Sequence, residues 1–179
     1  YKIADEMIKQ LANQKLFKQL YEPGEKEVIV TGEIGGFPWK GKIDSLRKMH
    51  GFFCDLKTTR DIHQKIWNDQ TRQKENFVEA YGYYYQMAVY IELIRQTFDI
   101  DCLPFIFAVS KQTPPDVEAL DFVSDESQEL LDLAMQDILD KQPRIWKLIK
   151  GEEKPKRCEQ CEYCRATKQL TKFVHADEL

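Results

Sequence analysis

Apolar residues recur along this chain with two periods, and the changes of period divide it into elements. From Tyr1 to Leu20, the residues Ile3, Met7, Ile8, Leu11, Leu16 and Leu20 form a stripe at helical spacing among Lys, Gln and Asp. Pro23-Gly24 closes that helix with a turn. Glu27 to Glu33, centred on Val28, Ile29 and Val30, reads as a strand, and Gly35-Gly36 as a turn. Phe37 to Leu46 and Gly51 to Thr58 are the second and third strands. Two short connections in succession imply an antiparallel three-strand meander. Asp61 to Gln70 is polar and mixed, a loop or a short helix. Glu75 to Phe98 has the spacing of the longest helix, with Phe77, Ala80, Tyr81, Tyr84, Ala88, Ile91 and Phe98 on one stripe. Cys102 to Lys111 and Val117 to Val123 are strands separated by Pro114-Pro115. Ser124 has the character of a helix N-cap, with Asp125 and Glu126 where the helix dipole favours acids. That helix runs through Leu130, Leu131, Ala134 and Ile138 until Pro143 breaks or kinks it, and a second short helix ends at Gly151. The order predicts an α/β (α+β) fold: a mixed central sheet, begun by the meander and extended after a helix, flanked by helices.

Length and composition narrow the class. A chain of 179 residues, 42% of them hydrophobic, fits one domain over 1–179 with a real core, 151–179 being a cysteine-containing tail. Apolar runs stop well short of the ~20 residues that span a membrane. No secretory signal opens the sequence, and a start at Tyr1 rather than Met points to native residues upstream. The net charge of −4 is no nucleic-acid signature, but its distribution is uneven. Asp116 to Asp140 holds nine acidic residues and no Lys or Arg, whereas Lys141 to Lys172 holds ten basic residues against four acidic ones. That basic third suits either a phosphate backbone or plain solvation. Five cysteines, an odd number, do not make a disulfide framework and suit a reducing cytoplasm.

The meander carries the candidate chemistry. Gly41-Lys42-Ile43-Asp44 and Asp55-Leu56-Lys57 lie on adjacent strands, and antiparallel pairing brings Asp44 beside Asp55. Alternation puts Asp55 and Lys57 on one face, with Cys54 and Leu56 on the other. Two carboxylates and a lysine make a hard-oxygen site for Mg²⁺ or Mn²⁺, with Lys57 placed to orient a water or offset charge. Lys40 and Lys42 share parity with Asp44, which places them on the metal side. The linker after the third strand is basic, with Arg60, Lys65, Arg72 and Lys74. On the following helix Gln86 and Tyr90 stand one turn apart, with Glu79 and Tyr83 near them. In the tail, Cys158, Cys161 and Cys164 are spaced C-x-x-C-x-x-C. Three such thiolates ligate one Zn²⁺ or one iron–sulfur cluster, the fourth ligand being His175 or a residue upstream.

Gly41-x-x-Asp44, Asp55-Leu56-Lys57 and Gln86-x-x-x-Tyr90 together resemble the PD-(D/E)xK nuclease superfamily. The match is nearest the RecE-type, exodeoxyribonuclease VIII-like prophage exonucleases and covers roughly Glu27 to Lys111. The resemblance implies a restriction-endonuclease-like core. It implies that Asp44, Asp55 and the Leu56 carbonyl hold Mg²⁺, that Lys57 is catalytic, and that Gln86 and Tyr90 support the site and contact DNA. It also implies a 5′-to-3′ exonuclease of duplex ends in recombination or phage DNA processing, a ring-shaped homo-oligomer and a single-strand annealing protein as partner. The cysteine tail is similar to that of iron–sulfur members, although the last cysteine is spaced differently and no cysteine precedes the core. Relatives carry a His or Glu on the upstream helix, where this chain has only Glu6. A site-specific endonuclease on the same scaffold and a non-catalytic, zinc-stabilised DNA-binding module are the alternative readings.

Overall fold

The computed structural model describes residues 2–69 and 71–178, so Tyr1 and Gln70, which bound two of the stretches above, lie outside the described residues. The chain forms two compact units, residues 1–141 and 142–179. The first holds α1 (Lys2–Ala12), α2 (Lys15–Leu20), β1 (Glu25–Ile34), β2 (Phe37–Arg47), β3 (Phe52–Thr59), β4 (Ile66–Asn68), β5 (Gln73–Glu75), α3 (Phe77–Ala80), α4 (Tyr83–Phe98), β6 (Leu103–Ser110) and β7 (Val117–Asp121). Helix α5 (Asp125–Ile149) begins there, and α6 (Glu162–Ala166) belongs to the second unit.

A five-stranded sheet of order β1-β2-β3-β6-β7 organises the first unit. Its neighbours are antiparallel except β3 and β6, which run parallel. A parallel pair needs a crossover, and α3 with α4 supplies it. On one face α4 and Leu131 and Ala134 of α5 close over Val30, Ile43, Leu46, Phe53 and Ile106. On the other, Met7 and Leu11 of α1 and Phe17 of α2 close over Cys54, Phe107 and Val109. Each such large apolar side chain contributes about 1.5–3 kcal/mol on burial. The free edge of β1 is covered by α4: Thr97 Oγ1 accepts from Thr31 N and donates to Thr31 O, and the Gln96 amide bonds both polar groups of Glu33.

Four expectations change. The first helical stripe is two helices, separated at Asn13-Gln14. In one continuous helix Phe17 would stand about 240° round from Leu11, and the break lets both reach the same core. Asp61 to Gln70 contributes β4, which pairs with β5 in a small hairpin. The stripe of Glu75 to Phe98 is interrupted at Gly82, whose φ of 68° starts α4 afresh. Tyr81 consequently turns to solvent while Met87, Ala88, Leu93 and Ile94 are buried. The longest helix is α5, 25 residues, which continues through Pro143. A proline forfeits one backbone hydrogen bond and crowds the preceding turn, which kinks a helix without always ending it. Ser124 caps that helix as expected, accepting from Ser127 N at 3.2 Å.

Candidate active site

The sheet forks where the two carboxylates lie. The β2–β3 ladder runs from Arg47 opposite Phe52 to Ser45 opposite Cys54. Asp44 and Asp55 occupy the next pair of opposed positions, where pairing has ended. Beyond them Phe37–Ile43 pairs only with β1, and Leu56–Thr59 only with β6. Asp44 is held at the fork by its Oδ2, which accepts from Leu56 N at 2.9 Å. Asp55 is 2% exposed. Its Oδ1 faces Gln86 Nε2 at 3.4 Å. Its Oδ2 pairs with Lys57 Nζ at 2.6 Å and has no further partner among the described residues, so this buried acceptor keeps an unused lone pair. Burial pushes the Asp55 carboxyl above its usual range, the Lys57 ammonium opposes that, and the charge of Asp44 adds to it. Lys57 in turn lies 4.5 Å from the centre of the Tyr83 ring, a cation–π contact.

Helix α4 supports this cluster from above. Gln86 and Tyr90 share a helix face, and Gln86 Nε2 donates to Tyr90 Oη at 2.9 Å as well as reaching Asp55. Burial, followed by the charges of Asp55 and Asp44, raises the Tyr90 phenol, so it remains protonated. Glu79 stands apart from this cluster and completes a capping box with Asn76 that fixes the start of α3. Gly41 explains the glycine of G-x-x-D. A Cβ there would lie 2.8 Å from Tyr90 Cε1, so the tyrosine ring rests on bare backbone. Gly41→Ala is expected to cost about 1–3 kcal/mol by overpacking and to displace Tyr90 from Gln86. Urea denaturation and the near-ultraviolet tyrosine signal measure both effects, and an unchanged midpoint would contradict this packing.

The lysines of β2 stand elsewhere. Gly41 faces α4 through Tyr90, so Lys40 and Lys42 project from the opposite face, exposed. Lys42 pairs with Glu27, although the charge of Asp44 still reaches it. The expectation that both share the face of Asp55 and Lys57 is therefore corrected. Its physical cause is a break in strand alternation, since Ile43 and Leu46 enter the same core three residues apart. The β1–β2 ladder skips its pair at this level, where Glu27 has a φ of 56° opposite Asp44. Glu27 and Tyr21, whose phenol burial and then Asp44 push up to about 12, border the fork, and no sequence motif marked either. Tyr83 was legible only as a neighbour of Gln86 one turn back.

Hard oxygens from Asp44, Asp55 and the Leu56 carbonyl fit a divalent cation, and the unused lone pair of Asp55 Oδ2 is the structural sign of that fit. The cysteines separate into two kinds. Cys54 and Cys102 are buried, and burial pushes their thiols to about 12 and about 11. Cys158 and Cys161 are exposed, and Cys164 is buried beside them. Alkylation of folded protein freed of metal, at pH 8 and read by peptide mass, is expected to spare Cys54 and Cys102 until the chain unfolds, while Cys158 and Cys161 react. Equal labelling of all five would overturn this assignment.

The model of a PDDEXK-like domain of unknown function (DUF3799) matches residues 1–167. A crystal structure from Eubacterium rectale described as a "putative exonuclease" is 34% identical and superposes with a TM-score of 0.83. The alignment covers 99% of this chain and 64% of that one, so this chain spans less than two thirds of that relative's length. A second solved structure, SSO0001, is 18% identical over 88% of this chain and 64% of its own, with a TM-score of 0.40. No curated protein matches the chain.

Proposed function

This chain belongs to the family of PDDEXK-like domains of unknown function (DUF3799), and from that membership we propose that it is a metal-dependent nuclease acting on DNA. The observation that carries the reading is the fork, where a carboxylate with an unused lone pair is buried beside a lysine. Burying such a charge costs several kcal/mol and returns little to stability. A silent DNA-binding module would have no use for it. Asp44, Asp55 and the Leu56 carbonyl would hold Mg²⁺ or Mn²⁺. When bound, the ion polarises a phosphoryl oxygen and lowers the pKa of its water. Lys57 Nζ, anchored between Asp55 and the Tyr83 ring, orients the attacking water and offsets charge on the phosphate. Gln86 and Tyr90 fix the rotamer of Asp55.

The finer reading is an exonuclease that works 5′ to 3′ on duplex ends in recombination or phage DNA processing. The description of the Eubacterium rectale relative favours an exonuclease over a site-specific endonuclease. The β4–β5 hairpin, between β3 and the crossover helices, presents Trp67, 56% exposed, with Lys65, Arg72 and Lys74 around it. An aromatic ring in a basic setting suits stacking on an unpaired base. A ring-shaped homo-oligomer, a single-strand annealing partner and a cytoplasmic setting belong to the same reading. So does a second metal position, zinc or iron–sulfur, at Cys158, Cys161 and Cys164. Among the described residues no helix is long and apolar enough to cross a membrane.

Digestion of end-labelled linear duplex with Mg²⁺ supplied or withheld, beside a closed circular control, tests the proposal. Loss of the linear substrate alone, only with Mg²⁺, is the expected result, and the label position reads the polarity. Cleavage of the circle would replace the exonuclease by an endonuclease. Binding without products, in a chain extended to the length of its relative, would refute the nuclease reading.

A further inference from the structure

The cysteine tail holds its three sulfurs closer together than a multi-iron cluster allows. Cys158, Cys161 and Cys164 each present Sγ within 4.8 Å of the other two, and Cys158 Sγ and Cys164 Sγ are 3.8 Å apart. Thiolates sharing one tetrahedral zinc at about 2.3 Å stand about 3.8 Å from one another. In a [4Fe–4S] cluster each thiolate binds a different iron, and in a [2Fe–2S] cluster one iron takes at most two thiolates, so the separation of the irons spreads three sulfurs further than one zinc does. The backbone is folded around the same point. Cys161 N donates to Cys158 Sγ at 3.2 Å, and Cys164 N to Cys161 Sγ at 3.4 Å. Glu159, inside the first C-x-x-C, adopts a φ of 60°, which turns the chain back toward its own sulfur. Arg157 then ties the loop by donating to the Cys164 carbonyl at 2.7 Å and to Thr167 Oγ1 at 3.0 Å.

Nothing apolar accounts for this arrangement. Among residues 151–177 only Cys164 is buried, and Tyr163, Leu170 and Phe173 are 70%, 89% and 104% exposed. A segment without a core must order itself through cross-links or metal.

We infer that Cys158, Cys161 and Cys164 form a mononuclear zinc site that folds the segment 157–168, rather than seating an iron–sulfur cluster. Among the described residues no fourth His, Cys, Asp or Glu joins the group, His175 included. The fourth coordination position is therefore open to water or to a ligand from outside the segment. The role is structural: the site deepens the cofactor part of the proposed function but needs no DNA cleavage to be real. One consequence bears on the nuclease assay, because a strong chelator would strip this site as well as Mg²⁺ and would unfold the tail.

The test uses the full chain, purified reduced and without added metal, with metal content and acid-labile sulfide measured together. About one zinc per chain and no sulfide is expected. Replacement by Co²⁺ should give intense visible bands of a tetrahedral thiolate site, and Cys161→Ser and Cys164→Ser should each lose both the metal and the bands. Zinc loss should also make the segment 151–178 at least tenfold more susceptible to limited proteolysis. Iron with sulfide, under anaerobic purification, would overturn the mononuclear site in favour of a cluster. Absence of any retained metal together with no Co²⁺ bands would overturn the site altogether. Neither adverse result touches the nuclease reading, because both are read without DNA.

Discussion

Lys57→Ala is expected to abolish cleavage and, at neutral pH, to cost about 3 kcal/mol of stability, because it strips the cation from a buried carboxylate. A lysine at the end of a strand would ordinarily be cheap to truncate. Here its side chain is 14% exposed and its ammonium stands 2.6 Å from Asp55, whose side chain is 3% exposed. The cost should depend on pH. Burial already raises the Asp55 carboxyl, and removal of the opposing ammonium raises it further. Below the unfolded pKa of about 4 the carboxyl is neutral in both states and the penalty vanishes. As pH rises through the higher folded pKa the variant loses stability relative to wild type. Urea denaturation of the two proteins at pH 4 and pH 7 measures this, and an equal difference at both values would rule out a stranded carboxylate as the cause. Asp55→Asn combined with Lys57→Ala should recover most of the loss, since no charge is then stranded. Activity of the single variant must be read where circular dichroism shows it folded.

Asp44→Asn separates chemistry from folding more cleanly. Asp44 Oδ2 accepts from Leu56 N at 2.9 Å, and the asparagine carbonyl can accept the same bond. The fork should keep its shape, with stability within about 1 kcal/mol of wild type. What is lost is one negative ligand for the cation. Metal clamps contribute several kcal/mol to a phosphoryl transition state, so cleavage should fall by about 10³-fold or more. Initial rates on labelled duplex at saturating Mg²⁺ check it. A variant within tenfold of wild type would remove Asp44 from the metal site.

Taken alone, the sequence determined the elements whose signal is local. The apolar centre Val28-Ile29-Val30 within Glu27 to Glu33 and the apolar-rich runs Phe37 to Leu46 and Gly51 to Thr58, with short turns between, sufficed for the strands of the meander. The spacing of Gln86 and Tyr90 sufficed to place them on one helix face. Parity was enough to separate Asp55 and Lys57 from Cys54 and Leu56. Where parity must be carried across an irregularity it fails: Lys40 and Lys42 lie across the sheet from Asp55 because alternation breaks between Ile43 and Leu46. The periodicity of Glu75 to Phe98 concealed Gly82, because a glycine in a left-handed conformation resets the phase of a helix without altering its composition. Only the tertiary structure decided that the sheet opens at Asp44 and Asp55, since a fork depends on which strands each neighbour pairs with next. Tertiary packing likewise decided that Asp55 is buried, that Tyr90 rests on Gly41, and that three sulfurs converge within the span of one metal ion. Those features are distances between residues far apart in the chain or across a turn. Local propensity carries no information about them until the core has closed.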